Sequence, residues 1–122
     1  MLFHLVCYTA WTRLDLITET ERGMRGEIVS IDLETTGLDI YHDFIIEVGA
    51  VRTVDGVAIE EFTTLVDPGF PIPPAITHLT GITSDDVVGK PEIRKVLPLI
   101  RDFVADSPVL AHNVNFDAGF LA

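Results

Sequence analysis

Apolar and polar positions alternate in a legible order along this chain. Ile28 to Leu33 is apolar and β-branched, with Asp32 set inside it, and reads as a buried strand. Thr35-Thr36-Gly37 ends that strand in a turn. Phe44 to Val54 reads as a second strand, Asp55-Gly56 as a tight hairpin, and Val57 to Val66 as the returning third strand. Residues 67–74 hold four prolines and a glycine and must be loop. Ala75 to Leu79 predicts a short helix ending near Gly81, and Thr83 or Ser84 can cap another turn before Gly89. Pro91 is expected to open a longer helix, with Ile93, Val96, Leu97, Ile100, Phe103 and Val104 on one face and Pro98 kinking it. Pro108 to Ala111 then reads as a short buried strand, and Asn115 can cap a helix from Phe116. A hairpin followed by a helical crossover to another strand predicts an α/β fold with a mixed sheet.

Composition narrows the function classes. The chain has 122 residues, 48% of them hydrophobic and 22% charged, which excludes a disordered chain. Eight Lys and Arg against nineteen Asp and Glu give a net charge of -11. A general nucleic-acid coat or a binder of anionic membranes would be basic. Acidity does not exclude an enzyme that grips phosphate locally through cations held by carboxylates. One cysteine, Cys7, cannot form an internal disulfide, and nothing points to an oxidising compartment. The apolar stretch from Met1 to Trp11 is too short to span a bilayer and no basic residue precedes it, so a cytoplasmic location without membrane attachment is expected. Residues 1–23 differ in character from the rest, and a basic-glycine pair, Arg25-Gly26, follows Met24 just before the first strand. They read either as an appendage or over-extended reading frame ahead of a natural start at Met24, or as an extra helix packed on a domain spanning 24–122.

Two groups of residues carry candidate chemistry. Asp32 and Glu34 are two apart on a strand, so both project from one face while Leu33 points into the core. Paired acids on an apolar strand are costly unless neutralised, and hard cations such as Mg²⁺ or Mn²⁺ do this with oxygen ligands. An exposed strand end, where acids are ordinary, is the alternative. The second group is His112-Asn113-Val114-Asn115-Phe116-Asp117, at the end of a strand and the start of a helix. Asp117 there either complements the helix dipole or supplies a third carboxylate in a cleft at the strand ends.

Together these residues resemble a family. Ile31-Asp32-Leu33-Glu34-Thr35-Thr36-Gly37 resembles the first motif of the DEDD, or DnaQ-like, 3′–5′ exonucleases, and His112 to Asp117 with Phe120-Leu121 resembles their second. Ile45 to Ala50 and Pro73 to Thr83 resemble the second strand and nucleotide-side loop of the branch containing the epsilon subunit of bacterial DNA polymerase III. The resemblance covers residues 27–122. It implies a ribonuclease H-like mixed sheet flanked by helices, with the C-terminal part missing, and two-metal hydrolysis of phosphodiester bonds at nucleic-acid 3′ ends. It implies proofreading or repair on single-stranded DNA or RNA, with a polymerase or helicase as subunit or fused domain. By position, Asp32, Glu34 and Asp117 would be the catalytic metal ligands for two Mg²⁺ or Mn²⁺ ions. Thr35, Thr36, Thr80 and Asn113 would contact the nucleotide.

The family's third motif, a histidine base followed five residues later by a fourth carboxylate, would lie beyond Asp117. His4, His42 and His78 do not occupy its position, and His112 belongs to the second motif. The chain therefore reads as the N-terminal two-thirds of an exonuclease domain, inactive by itself. A catalytically inactive nucleic-acid- or protein-binding module of the same fold is the competing reading.

Overall fold

The structure, a computed structural model, describes residues 26–111 and Leu121. The proposed appendage 1–23, the start at Met24 and the helix expected from Phe116 lie outside the described residues. Strands β1 (Glu27–Thr35), β2 (Ile45–Val54) and β3 (Val57–Leu65) come first. Helices α1 (Pro74–Thr80), α2 (Ser84–Val87) and α3 (Ile93–Val104) follow, and strand β4 (Val109–Ala111) comes after them. The sheet runs in the order β3-β2-β1-β4, antiparallel except for the parallel pairing of β1 with β4. This is the mixed sheet that the element order predicts.

Local chemistry explains the element ends. Asp55 (φ 48°) and Gly56 (φ 81°) both adopt left-handed backbone, as a two-residue turn with primed geometry requires. The Asp55 carboxylate also accepts the Gly26 amide at 2.7 Å, tying the hairpin to the start of β1. Gly81 closes α1 at φ 77°, its amide donating to Thr77 at 2.8 Å. A reciprocal capping box between Thr83 and Asp86 starts α2. The longer helix begins at Ile93, not at Pro91, because Glu92 takes the extended cap conformation. Pro98 lies inside α3 on its exposed side, where water can serve the carbonyl its ring leaves without a donor.

The main core lies between one sheet face and α3. Val29, Ile31 and Leu33 of β1 and Val48 and Ala50 of β2 pack there with Val96 and Ile100 of α3. Leu121 packs against the same cluster. A register shift after Glu34 lets Ile45 join this cluster. Ile46 instead packs with Ile72, Ile82 and Val87 in a second cluster beside α1 and α2. β4 is less buried than its sequence suggests: Val109 is exposed and Leu110 and Ala111 are only half-buried. Among the described residues it is an outer strand, bonded to β1 alone.

Candidate functional site

β1 pairs with β2 along its whole length and with β4 from Val29 to Ile31, and among the described residues Asp32 and Glu34 are paired with Gly49 and Glu47 of β2. The second face of β1 carries Ile28, Ser30, Asp32 and Glu34, while Leu33 is fully buried in the main core. Asp32 and Glu34 are only 8% and 5% exposed, which removes the reading of an exposed pair at a strand end. The strand extends two residues beyond Leu33, so both acids sit on regular ladder.

A third acid, Glu47, shares this face and escaped the sequence reading. It stands directly opposite Glu34 in the β1–β2 register. Like charges directly opposite one another destabilise a sheet. The period-two rule applied to the Ile45-Ile46-Glu47-Val48 run could have found it, once the pairing with β1 was known. Asp32, Glu34 and Glu47 all have interaction partners. Leu65, opposite Glu47 on β3, packs into the second cluster, so α1 and α2 lie at this same end of the sheet.

The threonines expected to contact the nucleotide divide by what their hydroxyls already do. Thr35 donates to the Gly37 carbonyl. Thr36, 8% exposed, donates to Asp43 at 3.0 Å and accepts the Phe44 amide at 2.9 Å. Thr80 donates to Ile76 at 2.8 Å and accepts the Ile82 amide at 3.1 Å, closing α1. Each hydroxyl proton is committed to the fold, which leaves backbone groups and remaining lone pairs for a ligand. Asn113, His112 and Asp117 lie outside the described residues.

Oxygen donors only, from buried carboxylates on one face, fit a hard divalent cation better than a soft one. Among the described residues no three His, Cys, Asp or Glu side chains converge tightly enough to form a metal cage. A cleft of about 280 Å³ lined by Phe44, Ile45, Val66, Asp67 and Ile93 includes neither Asp32 nor Glu34, so it is separate from the acid face. No helix among the described residues is long and apolar enough to cross a membrane.

Comparison with known proteins agrees with this fold. The family described as "Exonuclease" (RNase_T) matches residues 29–122. A PolC-type DNA polymerase III from Clostridium perfringens is 45% identical over 106 residues, covering 87% of this chain and 7% of that protein. The DNA polymerase III subunit epsilon of Aquifex aeolicus is 46% identical over 96 residues, covering 79% of this chain and 48% of that protein. Exonuclease X, solved in complex with 5′ overhanging duplex DNA, superposes with a TM-score of 0.66 at 32% identity, covering 78% of this chain and 54% of its own. The chain thus spans about half or less of these relatives. The match over residues 29–122, on a ribonuclease H-like mixed sheet, means that the chain belongs to the DnaQ-like exonuclease family.

Proposed function

We propose that this chain is a metal-dependent 3′–5′ exonuclease domain, acting on the 3′ end of single-stranded DNA in proofreading or repair. The observation that carries this reading is the pair of buried acids, Asp32 and Glu34, on one face of β1 where it pairs with β2. Two carboxylates on one buried face concentrate the oxygen donors that a hard divalent cation takes. A phosphodiester substrate needs cations at the same place. DNA is favoured over RNA because the relatives are DNA polymerase III proteins.

In this reading Asp32, Glu34 and Asp117 would hold two Mg²⁺ or Mn²⁺ ions. Such ions, when bound, neutralise the scissile phosphate and lower the pKa of the attacking water. Water oxygen attacks phosphorus, the bond to the 3′ oxygen of the preceding nucleotide breaks, and that oxygen takes up a proton. A nucleoside 5′-monophosphate leaves. The Thr35–Gly37 backbone, at the end of β1, holds the terminal nucleotide against the acids. A polymerase or helicase is the proposed subunit or fused domain.

No His-x4-Asp element follows Asp117 within these 122 residues. A general base contributes about 10²–10⁴ in rate, so the 122-residue polypeptide is expected to hydrolyse poorly. Adding a relative's downstream segment should switch activity on. The test follows mononucleotide release from 3′- and 5′-labelled oligothymidylate in Mn²⁺, with melting curves of the 122-residue chain alongside. Expected results are early loss of the 3′ label in the extended chain, abolished by Glu34→Ala, and a Mn²⁺-dependent rise in melting temperature largely removed by Asp32→Ala. A melting curve indifferent to millimolar Mn²⁺, or loss of the 5′ label first, overturns the reading.

A further inference from the structure

The loop leaving β1 is closed by one carboxylate that no motif includes. Asp43 Oδ1 accepts the Thr36 hydroxyl at 3.0 Å, and Asp43 Oδ2 accepts the Asp39 amide at 3.0 Å. The Asp43 amide donates to the Asp39 carbonyl at 2.8 Å. Thr36 and Phe44 are bonded twice: the Thr36 amide donates to the Phe44 carbonyl, and the Phe44 amide to the Thr36 hydroxyl, both at 2.9 Å. Residues 36–44 therefore form a closed ring rooted two residues past Glu34.

Gly37 shows how tightly the ring is drawn. A Cβ placed there would lie 2.3 Å from Asp43 Oδ2 and 2.6 Å from its Cγ. Contacts that short do not occur, so a side chain at position 37 requires the Asp43 carboxylate to shift from the place where it meets Thr36 and Asp39. The lack of a side chain at Gly37 and the acid at Asp43 are one device. Charge-assisted bonds to a hydroxyl and an amide hold it more firmly than neutral ones would.

We infer that Asp43 is a positioning residue, which fixes the Thr35-Thr36-Gly37 backbone so that it receives the 3′-terminal nucleotide without having to be ordered on binding. This role rests on the nuclease reading above. A preordered loop spares the ligand the entropy of fixing it. Asp43 itself touches neither the acids' ladder nor, in this role, the nucleotide. Its effect should appear in nucleotide affinity and not in metal affinity.

The experiment uses the 122-residue chain and thymidine 5′-monophosphate, a reaction product that cannot be hydrolysed further. Isothermal titration in Mn²⁺ measures its affinity, and melting curves measure the response to Mn²⁺ alone. Asp43→Ala should weaken the nucleotide by about tenfold, the scale of one lost hydrogen bond to a charged group, while the Mn²⁺ response stays at its wild-type size. Asp43→Asn keeps one acceptor, for Thr36, but not the one for the Asp39 amide, and should recover part of the loss. Gly37→Ala leaves the charge in place but shifts it, and should weaken the nucleotide in the same direction as Asp43→Ala. Wild-type affinity in Asp43→Ala, with nucleotide bound normally by the unaltered chain, overturns this role and leaves the nuclease reading standing. A Mn²⁺ response lost together with nucleotide binding in both Asp43→Asn and Gly37→Ala marks general collapse and also overturns it. An unaltered chain that binds no nucleotide overturns the nuclease reading and this role with it.

Discussion

Two exposed aspartates show how single residues hold the turns of this fold, and what acid will do to them. Hydrogen bonding to Thr83, its backbone amide first and its hydroxyl second, keeps Asp86 below the ordinary aspartate value of 3.8. The His42 side chain does the same for Asp39, with the Tyr41 amide next, and His42 Nδ1 lies 2.7 Å from Asp39 Oδ2. A lowered folded value means that unfolding takes up protons in acid. The stabilisation is complete above pH 3.8 and is lost as pH falls through the lowered folded values. Melting temperatures measured between pH 5 and pH 2 should fall, and Asp86→Asn should flatten part of that fall while lowering stability at neutral pH. A variant whose pH dependence matches the wild type would show that the capping box carries no such linkage. Cap chemistry of this kind was readable in advance, since Thr83 and Asp86 stand three apart before an apolar residue. The Asp43–Gly37 contact was not, because nothing in a turn sequence tells which of several acids folds back on which glycine.

At the scale of elements, Arg52 is the joint. From β2 it reaches Glu60 on β3 at 2.9 Å, Glu27 on β1 at 3.2 Å and Ser107 before β4 at 2.8 Å. It also donates to the Phe103 carbonyl in the last turn of α3 and lies 5.0 Å from the centre of the Phe103 ring. With its side chain 11% exposed, this guanidinium gathers four elements at one corner, and bonding to Glu60 raises its pKa. Only a planar fork with several donors can serve so many partners. Arg52→Met should cost about 1–3 kcal/mol in urea unfolding, as expected for loss of a network whose acids remain hydrated, and Arg52→Lys should recover little of it. Full recovery by lysine would mean that charge alone matters there. Strand and helix positions were legible because hydrophobic period and Gly or Pro punctuation agree locally. The Arg52 corner and the Glu34–Glu47 pairing were not, since both depend on strand register. The half-exposure of β4 was missed for a related reason: an apolar tetrapeptide does not say how many neighbours its strand will have.

For the molecule as a whole, we propose that residues 1–23 are separable from the domain. The family match starts at residue 29 and β1 at Glu27, and β1 already has strands on both sides. A chain starting at Met24 should unfold at nearly the same urea concentration. A loss above about 2 kcal/mol, the scale of a large buried side chain, would show that Leu2, Leu5 or Trp11 packs on the domain. The parallel pairing of β1 with β4 also governs when the fold can be completed. β2 and β3 are joined by a two-residue turn and β1 meets β2 soon after, but Val29 pairs with Val109, eighty positions later. Long loops close late, because their ends must find each other before any contact rewards the search. On a ribosome adding about 5–20 residues per second, β1 and its acids wait several seconds for β4 to emerge. A nascent chain thus carries Asp32 and Glu34 before the strand that leads to Asp117 has been made. Whatever chemistry needs all three carboxylates begins only after release of the last of them, so its onset is timed by synthesis itself.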